Sequence, residues 1–282
     1  MNSIAMRFPK GRKKALTLSY DDGVEQDIKL ISIMKEYGLK GTFNLNSGEY
    51  APEGKVYEPG TIHRRMSKDM VTKVYKESGF EVAEHTLNHP FISDLPENIC
   101  NYQICEDRKN LEEQFGCLVR GMAYPYGVFN DMVVECLKNN GIAYARTVWS
   151  SYNFEIPRDW LRLRPTCHHN DPKLDELTDR FLNEEPGRNP WLFYLWGHAY
   201  EFEEKDNWDR ITDFAKKTGN REEIWYCTNI EVYDYVKAYE SLQFSFDAGI
   251  VKNPSALTVW FALDGKDFSI APGEMMVLKN CL

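Results

Sequence analysis

Hydrophobic and polar positions alternate along this chain in two periods. Short apolar, β-rich runs at 14–20, 41–45, 80–83, 119–124, 142–148, 161–165, 192–196 and 224–227 are bounded by turn residues and predict strands. Between most of them, apolar residues recur at helical spacing over 26–37, 67–77, 95–115, 129–140, 174–183, 208–217 and 230–242. Gly38, Gly79, Gly116, Gly141 and Gly219 follow five of these segments, where a left-handed cap needs glycine. Strands alternating with helices predict an α/β fold with a parallel sheet, and seven or eight such units predict a barrel rather than an open sheet.

After residue 242 the helical period stops. Runs at 243–246, 257–262, 268–270 and 275–278 read as strands, with turns at Asn253-Pro254, Asp264-Gly265 and Pro272-Gly273. The chain therefore divides into a barrel unit over 1–242 and a small C-terminal β appendage over 243–282. The longest irregular segment, 46–65, has the length of a lid or specificity loop.

The 282 residues, 43% of them apolar, can bury a large core. A net charge of -9 disfavours nucleic-acid phosphate and anionic lipid as partners. The local cluster Lys10, Arg12, Lys13 and Lys14 reads as a solvated N-terminal arm. No apolar leader occupies 1–11 and no run approaches the ~20 apolar residues of a membrane span, so a soluble, cytoplasmic protein without membrane partners is the expectation. The seven cysteines (Cys100, Cys105, Cys117, Cys136, Cys167, Cys227 and Cys281) include no CxxC pair, which argues against a disulfide framework or a thiolate zinc site. Cys167, beside His168, reads as a buried structural thiol.

The chemistry concentrates at the ends of predicted strands. Asp21 and Asp22 follow the first, His85 and His89 the third, Tyr126 and Gly127 the fourth, and His198 the seventh. In a parallel barrel those C-terminal ends converge on one face. One carboxylate and two imidazoles make the ligand set of a hydrolytic metal site with open positions for water and substrate, and the second carboxylate stands beside it as a base. His198 is placed to protonate a leaving group. His63, His168 and His169 read as surface residues.

These residues resemble the motifs of a known family, the polysaccharide deacetylases of the NodB type, or carbohydrate esterase family 4. Residues 16–23 (LTLSYDDG) are similar to its T-F-D-D-G motif, and 85–89 (HTLNH) match H-[ST]-x-x-H. Residues 123–127 (AYPYG) are similar to R-x-P-Y-G, and 196–198 (WGH) stand where the family has L-x-H. The resemblance implies a distorted (β/α)7-8 barrel of NodB type and a metal-dependent deacetylase. Asp21 would be its base, His198 its acid, and the backbone N–H of Tyr126 an oxyanion donor. Asp22, His85 and His89 would hold a divalent metal, usually zinc, with Co2+, Mn2+, Ni2+ or Fe2+ as other choices. Pro125, Tyr126, Trp160, Trp196 and Tyr200 would line the substrate site, and the partner would be an acetylated sugar, an oligosaccharide or a small N-acyl compound.

Two departures qualify the resemblance. The arginine that opens the third motif is replaced by Ala123, and Arg120, Arg162 or Arg164 are the candidates to replace it. The Asp-Trp of the fourth motif is represented faintly by Asp159-Trp160. Exposed flat rings for sugar are expected among Trp149, Tyr152, Phe154, Trp160, Trp196, Tyr200 and Phe202. Two other readings stay open: an amidohydrolase of the same fold acting on a non-sugar amide or cyclic ureide, and a non-catalytic carbohydrate-binding protein with a vestigial site.

Overall fold

The computed structural model describes residues 3–76 and 78–278; Glu77, the last residue of the second predicted helix, and Cys281 lie outside the described residues. After a short strand, β1 (Ile4–Arg7), comes β2 (Lys14–Asp21), all of whose residues are buried. That is the pattern of a strand covered on both faces. β3 (Gly41–Leu45), β4 (Glu81–Glu84), β5 (Gly121–Ala123) and β6 (Tyr144–Arg146) follow on one side of it. β7 (Cys167–His168) and β8 (Trp191–Gly197) lie on the other, giving the order β6-β5-β4-β3-β2-β8-β7. β9 (Ile224–Tyr226) pairs with the first half of β2. The pairings of β2 with β3, β8 and β9 are parallel, as are those of β4, β5, β6 and β7 with their neighbours.

The helices α1 (Asp27–Glu36), α2 (Lys68–Tyr75), α3 (Glu97–Phe115), α4 (Asp131–Asn139) and α5 (Leu174–Asn183) precede the short α6 (Tyr200–Glu204), α7 (Trp208–Thr218) and α8 (Asn229–Glu240). Alternation along β2 assigns its two faces. Leu16, Leu18 and Tyr20 pack with Leu30 and Met34 of α1 and with Ile211 and Phe214 of α7. Ala15, on the other face, joins Tyr144, Leu192, Tyr194 and Trp196 in an inner cluster. Thr17, Ser19 and Asp21 continue this inner row, so the last residue of β2 enters the barrel.

The architecture is the distorted (β/α) barrel that the sequence predicts, with one strand displaced. Over the predicted strand 161–165 the chain instead forms a 3-10 turn (Trp160–Arg162), and Leu163 then bridges Arg146 of β6. Pro165 cannot donate to a ladder, and the chain transfers to β8, pairing through β7. One segment thus closes the barrel by changing partner midway. Helix α6, missed from the sequence, has five residues and is too short to show a period.

The N-terminal arm is also corrected. Ala5, Met6, Phe8 and Lys14 are buried, β1 pairs antiparallel with a tail strand, and Lys14 Nζ donates to the carbonyl of Leu182. Ala5, Met6 and Phe8 anchor the segment, leaving Lys10 exposed and Arg12 and Lys13 half-buried, while Lys14 is drawn inside.

The tail comprises β10 (Gln243–Phe244), β11 (Ile250–Lys252), β12 (Val259–Leu263), β13 (Lys266–Ile270) and β14 (Met275–Val277), in sheets of order β10-β11-β14 and β1-β12-β13. Val251, Val259, Phe261 and Ile270 form a core with Ala238 of α8. Among the described residues no helix is long and apolar enough to cross a membrane.

Candidate metal and catalytic centre

Adjacent residues of a strand point to opposite faces, so two neighbouring aspartates share a cleft only if the backbone turns between them. It does: Asp22 has φ 83° and Gly23 φ 65°, both left-handed. Asp22 N–H still donates to the carbonyl of Asn44, which holds the turn against β3. Thr86 (φ 63°), His89 (φ 52°) and Tyr126 (φ 55°) are also left-handed. Such conformations cost on the order of 1–3 kcal/mol each and gather where side chains must be aimed.

The Asp22 turn brings a carboxylate to two imidazoles. Asp22 Oδ1 lies 4.0 Å from His85 Nε2 and 3.9 Å from His89 Nε2, and ligand atoms of all three lie within 4.8 Å of one another. His85 Nδ1 contacts the carbonyl of Ala123 at 2.6 Å. That contact uses the far ring nitrogen and leaves Nε2 toward the cleft, the arrangement that orients a metal-binding imidazole. Burial pushes the His85 pKa down to about 4, so it is neutral, as a ligand must be. The 85–89 segment is a loop held from outside. Asn46 Nδ2 donates to the carbonyls of His85 and Thr86, Asp107 accepts from His85 N–H, and Gln103 accepts from Asn88 N–H. The donor set, buried at Asp22 and His85 and half-buried at His89, fits a divalent ion of the kind that carboxylate and imidazole ligands hold.

Two residues of the long loop reach the same carboxylate: Arg65, unassigned from the sequence, and His63, read there as a surface residue. Arg65 Nη2 donates to Asp22 Oδ1 at 3.0 Å and Nη1 donates to the Asp22 carbonyl, while His63 Nε2 lies 3.1 Å from Asp22 Oδ2. Burial raises the Asp22 pKa, but the His63 hydrogen bond and the Arg65 charge outweigh it and hold the group far below the carboxylate range.

Asp21 has different partners. Its Oδ1 accepts from Asn44 Nδ2 at 2.8 Å, and its Oδ2 is paired with the buried guanidinium of Arg146 at the end of β6. Arg146 lies 4.2 Å above the ring of Trp196, which fixes its plane. Arg146, and none of Arg120, Arg162 or Arg164, therefore stands where the Ala123 position lacks a cation. Arg120 pairs with Asp234 at 2.5 Å, Arg162 with Asp131 and Asp159, and Arg164 bonds the carbonyl of Ser150. The signal was a single arginine inside the predicted strand 142–148. Burial raises the Asp21 pKa, and Arg146, His85 and His198 bring it below the ordinary value.

His198 Nε2 faces Asp21 Oδ2 at 3.7 Å from the end of β8. Tyr200 stands beside it, its ring 5.3 Å from His198 and 4.8 Å from His63. Tyr126 stacks on Phe91 at 4.0 Å and meets the His89 ring edge-on, so Tyr126 forms the wall next to His89, while Pro125 before it is buried. Trp160 is not brought to the cleft. Its indole is buried edge-on to Tyr233 of α8, among Ile142 and Ala143 before the start of β6, at the opposite end of the barrel. Asp159 caps the turn before Leu161 and pairs with Arg162 at the surface. Phe154 and Phe202 belong to the core, whereas Trp149 and Tyr152 are exposed. Cys167 is buried, which pushes its thiol up to about 12, so it is no nucleophile.

Residues 9–145 match the family model described as polysaccharide deacetylase. A chitooligosaccharide deacetylase of Sinorhizobium fredii is 27% identical over 170 residues, covering 58% of this chain and 64% of its own length. The chain therefore spans less than two thirds of that relative. Among solved structures, a candidate polysaccharide deacetylase from Mycobacterium smegmatis superposes with a TM-score of 0.57 at 14% identity, covering 83% of this chain and 93% of that one. The peptidoglycan deacetylase PdaC from Bacillus subtilis gives a TM-score of 0.51 at 19% identity, covering 81% and 94%. These two likenesses concern the fold.

Proposed function

We propose, from the match of residues 9–145 to the polysaccharide deacetylase family model, that the cleft hydrolyses acetyl groups, N-linked in the first place, from a sugar or oligosaccharide. The observation that carries this reading is the divergence of two adjacent aspartates. Asp22 turns to His85 and His89, while Asp21 is held by Arg146 within reach of His198.

Asp22, His85 and His89 would hold the divalent ion, zinc being the usual choice for this donor set. Bound there, it supplies Lewis-acid polarisation of the acyl oxygen and acidifies water. The chain's own groups do the rest. Asp21, kept ionised by Arg146, takes a proton from the attacking water. The amide N–H of Tyr126 donates to the oxyanion as the acyl carbon becomes tetrahedral. His198, whose pKa is raised because Glu201 and Asp21 together outweigh the burial that lowers it, gives its Nε2 proton to the departing amine. Tyr126 and Tyr200 border this space with aromatic surface that a sugar ring can cover, whereas Trp196, expected to line the site, is buried with its ring beneath Arg146.

Arg146 bears on the competing readings. The ureide reading drew support from the absent motif-three arginine, and a buried guanidinium now occupies that position's partner. The vestigial reading requires a broken residue set, whereas Asp21, Asp22, His85, His89 and His198 all converge. Release of acetate from a panel of acetylated sugars and chito-oligosaccharides, measured with and without a chelator, tests the proposal. Chelator-sensitive release that Asp21→Asn abolishes while retaining bound zinc is the expected result. Turnover of ureides alone, or sugar binding without release, would replace the reading.

A further inference from the structure

Asp159, the fourth-motif candidate to partner the acid, is at the surface with Arg162 and does not reach His198. Another carboxylate occupies that role. We propose that Glu201 is the positioning residue that fixes His198 as a proton donor, with Asn170 bonding Glu201 in turn and the adjacent His168 and His169 rings packed against its carboxylate. This inference rests on the reading of His198 as the acid.

The geometry is local to the β8–α6 junction. His198 directly follows the strand and Glu201 lies in the first turn of α6, its N–H bonded to the His198 carbonyl at 3.1 Å. His198 Nδ1 meets Glu201 Oε1 at 2.7 Å. With Nδ1 committed, Nε2 is the nitrogen left facing Asp21 across the cleft. The carboxylate is fixed on both oxygens. Oε1 has His168 Nε2 at 3.4 Å, and Oε2 accepts from Asn170 Nδ2 at 2.7 Å and has His169 Nε2 at 3.2 Å. His169 is fully buried and stacked on Phe202 at 4.1 Å, so it cannot swing away. Gly197 admits this packing, since a Cβ there would lie 2.0 Å from His169 Nδ1.

The proton balance follows from this arrangement. The Nε2–H bond of the imidazolium breaks as the N–H bond of the leaving amine forms. The remaining proton stays on Nδ1 in the hydrogen bond to Glu201, which remains ionised throughout. Burial pushes the Glu201 pKa up, but its three imidazole partners bring it far below the carboxylate range. The groups facing His198 are Asp21 from β2, His168 from β7 with His169 behind it, Tyr200 and Glu201 from α6, and Asp22 and His89 across the cleft. Of the carboxylates, Glu201 makes the direct contact with Nδ1.

The test compares zinc-loaded wild type, Glu201→Gln, Glu201→Asp and His198→Ala. Glu201→Gln is expected to lower kcat by ~10- to 100-fold with KM little changed. It should also move the alkaline limb of the pH profile downward and lower the His198 pKa followed by NMR titration, with Glu201→Asp intermediate. Zinc content should stay at one equivalent in each. A Glu201→Gln protein with wild-type kcat and an unshifted His198 titration overturns the proposal, as does a second zinc equivalent in wild type that this variant loses. Full turnover by His198→Ala would instead remove the acid assignment, while the NMR shift would still report whether Glu201 governs His198.

Discussion

At the scale of single residues, Arg146 carries the greatest consequence. Truncating one partner of a buried ion pair leaves the other charge uncompensated, at about 3–5 kcal/mol. Arg146→Met should therefore lower the unfolding midpoint and reduce kcat by at least ~10²-fold, the scale of a misplaced general base. Arg146→Lys should recover part of both losses, because Asp22, His85 and His89 are untouched and zinc content is unchanged; calorimetry, kinetics and metal analysis check this together. The pH profile gives a second prediction. His198 must be protonated to act, and its pKa is raised, so activity is retained below the ordinary imidazole value of about 6.5 and lost only as pH rises through the elevated one. An alkaline limb at or below ordinary imidazole would contradict this.

The same scale shows what the chain could disclose in advance. Asp21, Asp22, His85, His89 and His198 were legible because each sits in a short motif at a strand end. Arg146 was not, since its function is set by Asp21 lying 125 positions away in sequence yet paired with it in space. His63 and Arg65 were hidden similarly, in a loop whose return onto β2 has no local periodic signal. Glu201 was three residues from His198 and still unread, because α6 is shorter than any amphipathic pattern can reveal.

At the scale of elements, the barrel was visible wherever apolar runs were continuous. It was misread where Arg162 and Arg164 interrupt an apolar run and Pro165 ends the ladder, so that one segment serves two neighbours. This closing segment leads into His168 and His169, which makes the junction of β7, β8 and α6 sensitive to bulk. Gly197→Ala places a methyl group where the buried His169 ring lies. Because a packed interior yields only by shifting side chains or backbone, a destabilisation of ~1–3 kcal/mol is expected. Displacement of His169 should also loosen Glu201. Denaturant unfolding checks the stability, and kcat should fall further than KM rises. An unaltered midpoint would show that His169 has room the packing does not indicate.

At the scale of the whole molecule, the division at residue 242 meets a strand contributed from the other end of the chain. β1 pairs with β12 from Ile4–Leu263 to Arg7–Trp260, and Arg7 Nε donates to Asp267 Oδ1 at 3.1 Å. Tyr235 of α8 binds both parts, donating its hydroxyl to the Arg7 carbonyl and accepting from Trp260 N–H. The tail therefore covers an edge and a helix face that the barrel would otherwise expose, so the two parts should unfold together. Phe261 is the side chain on which to test this, buried against Phe244 and Phe268 with Met6 as its register partner on β1. Phe261→Ala removes a fully buried ring, which costs ~3–5 kcal/mol. If tail and barrel are one cooperative unit, the variant unfolds in a single transition at a lower midpoint, and near-UV signals from the barrel tryptophans move with it. If the tail is an independent module, a separate early transition appears and the barrel midpoint stays in place. The residue-level site should be indifferent to the substitution while the protein is folded, because Phe261 belongs to the tail core and touches none of the cleft residues.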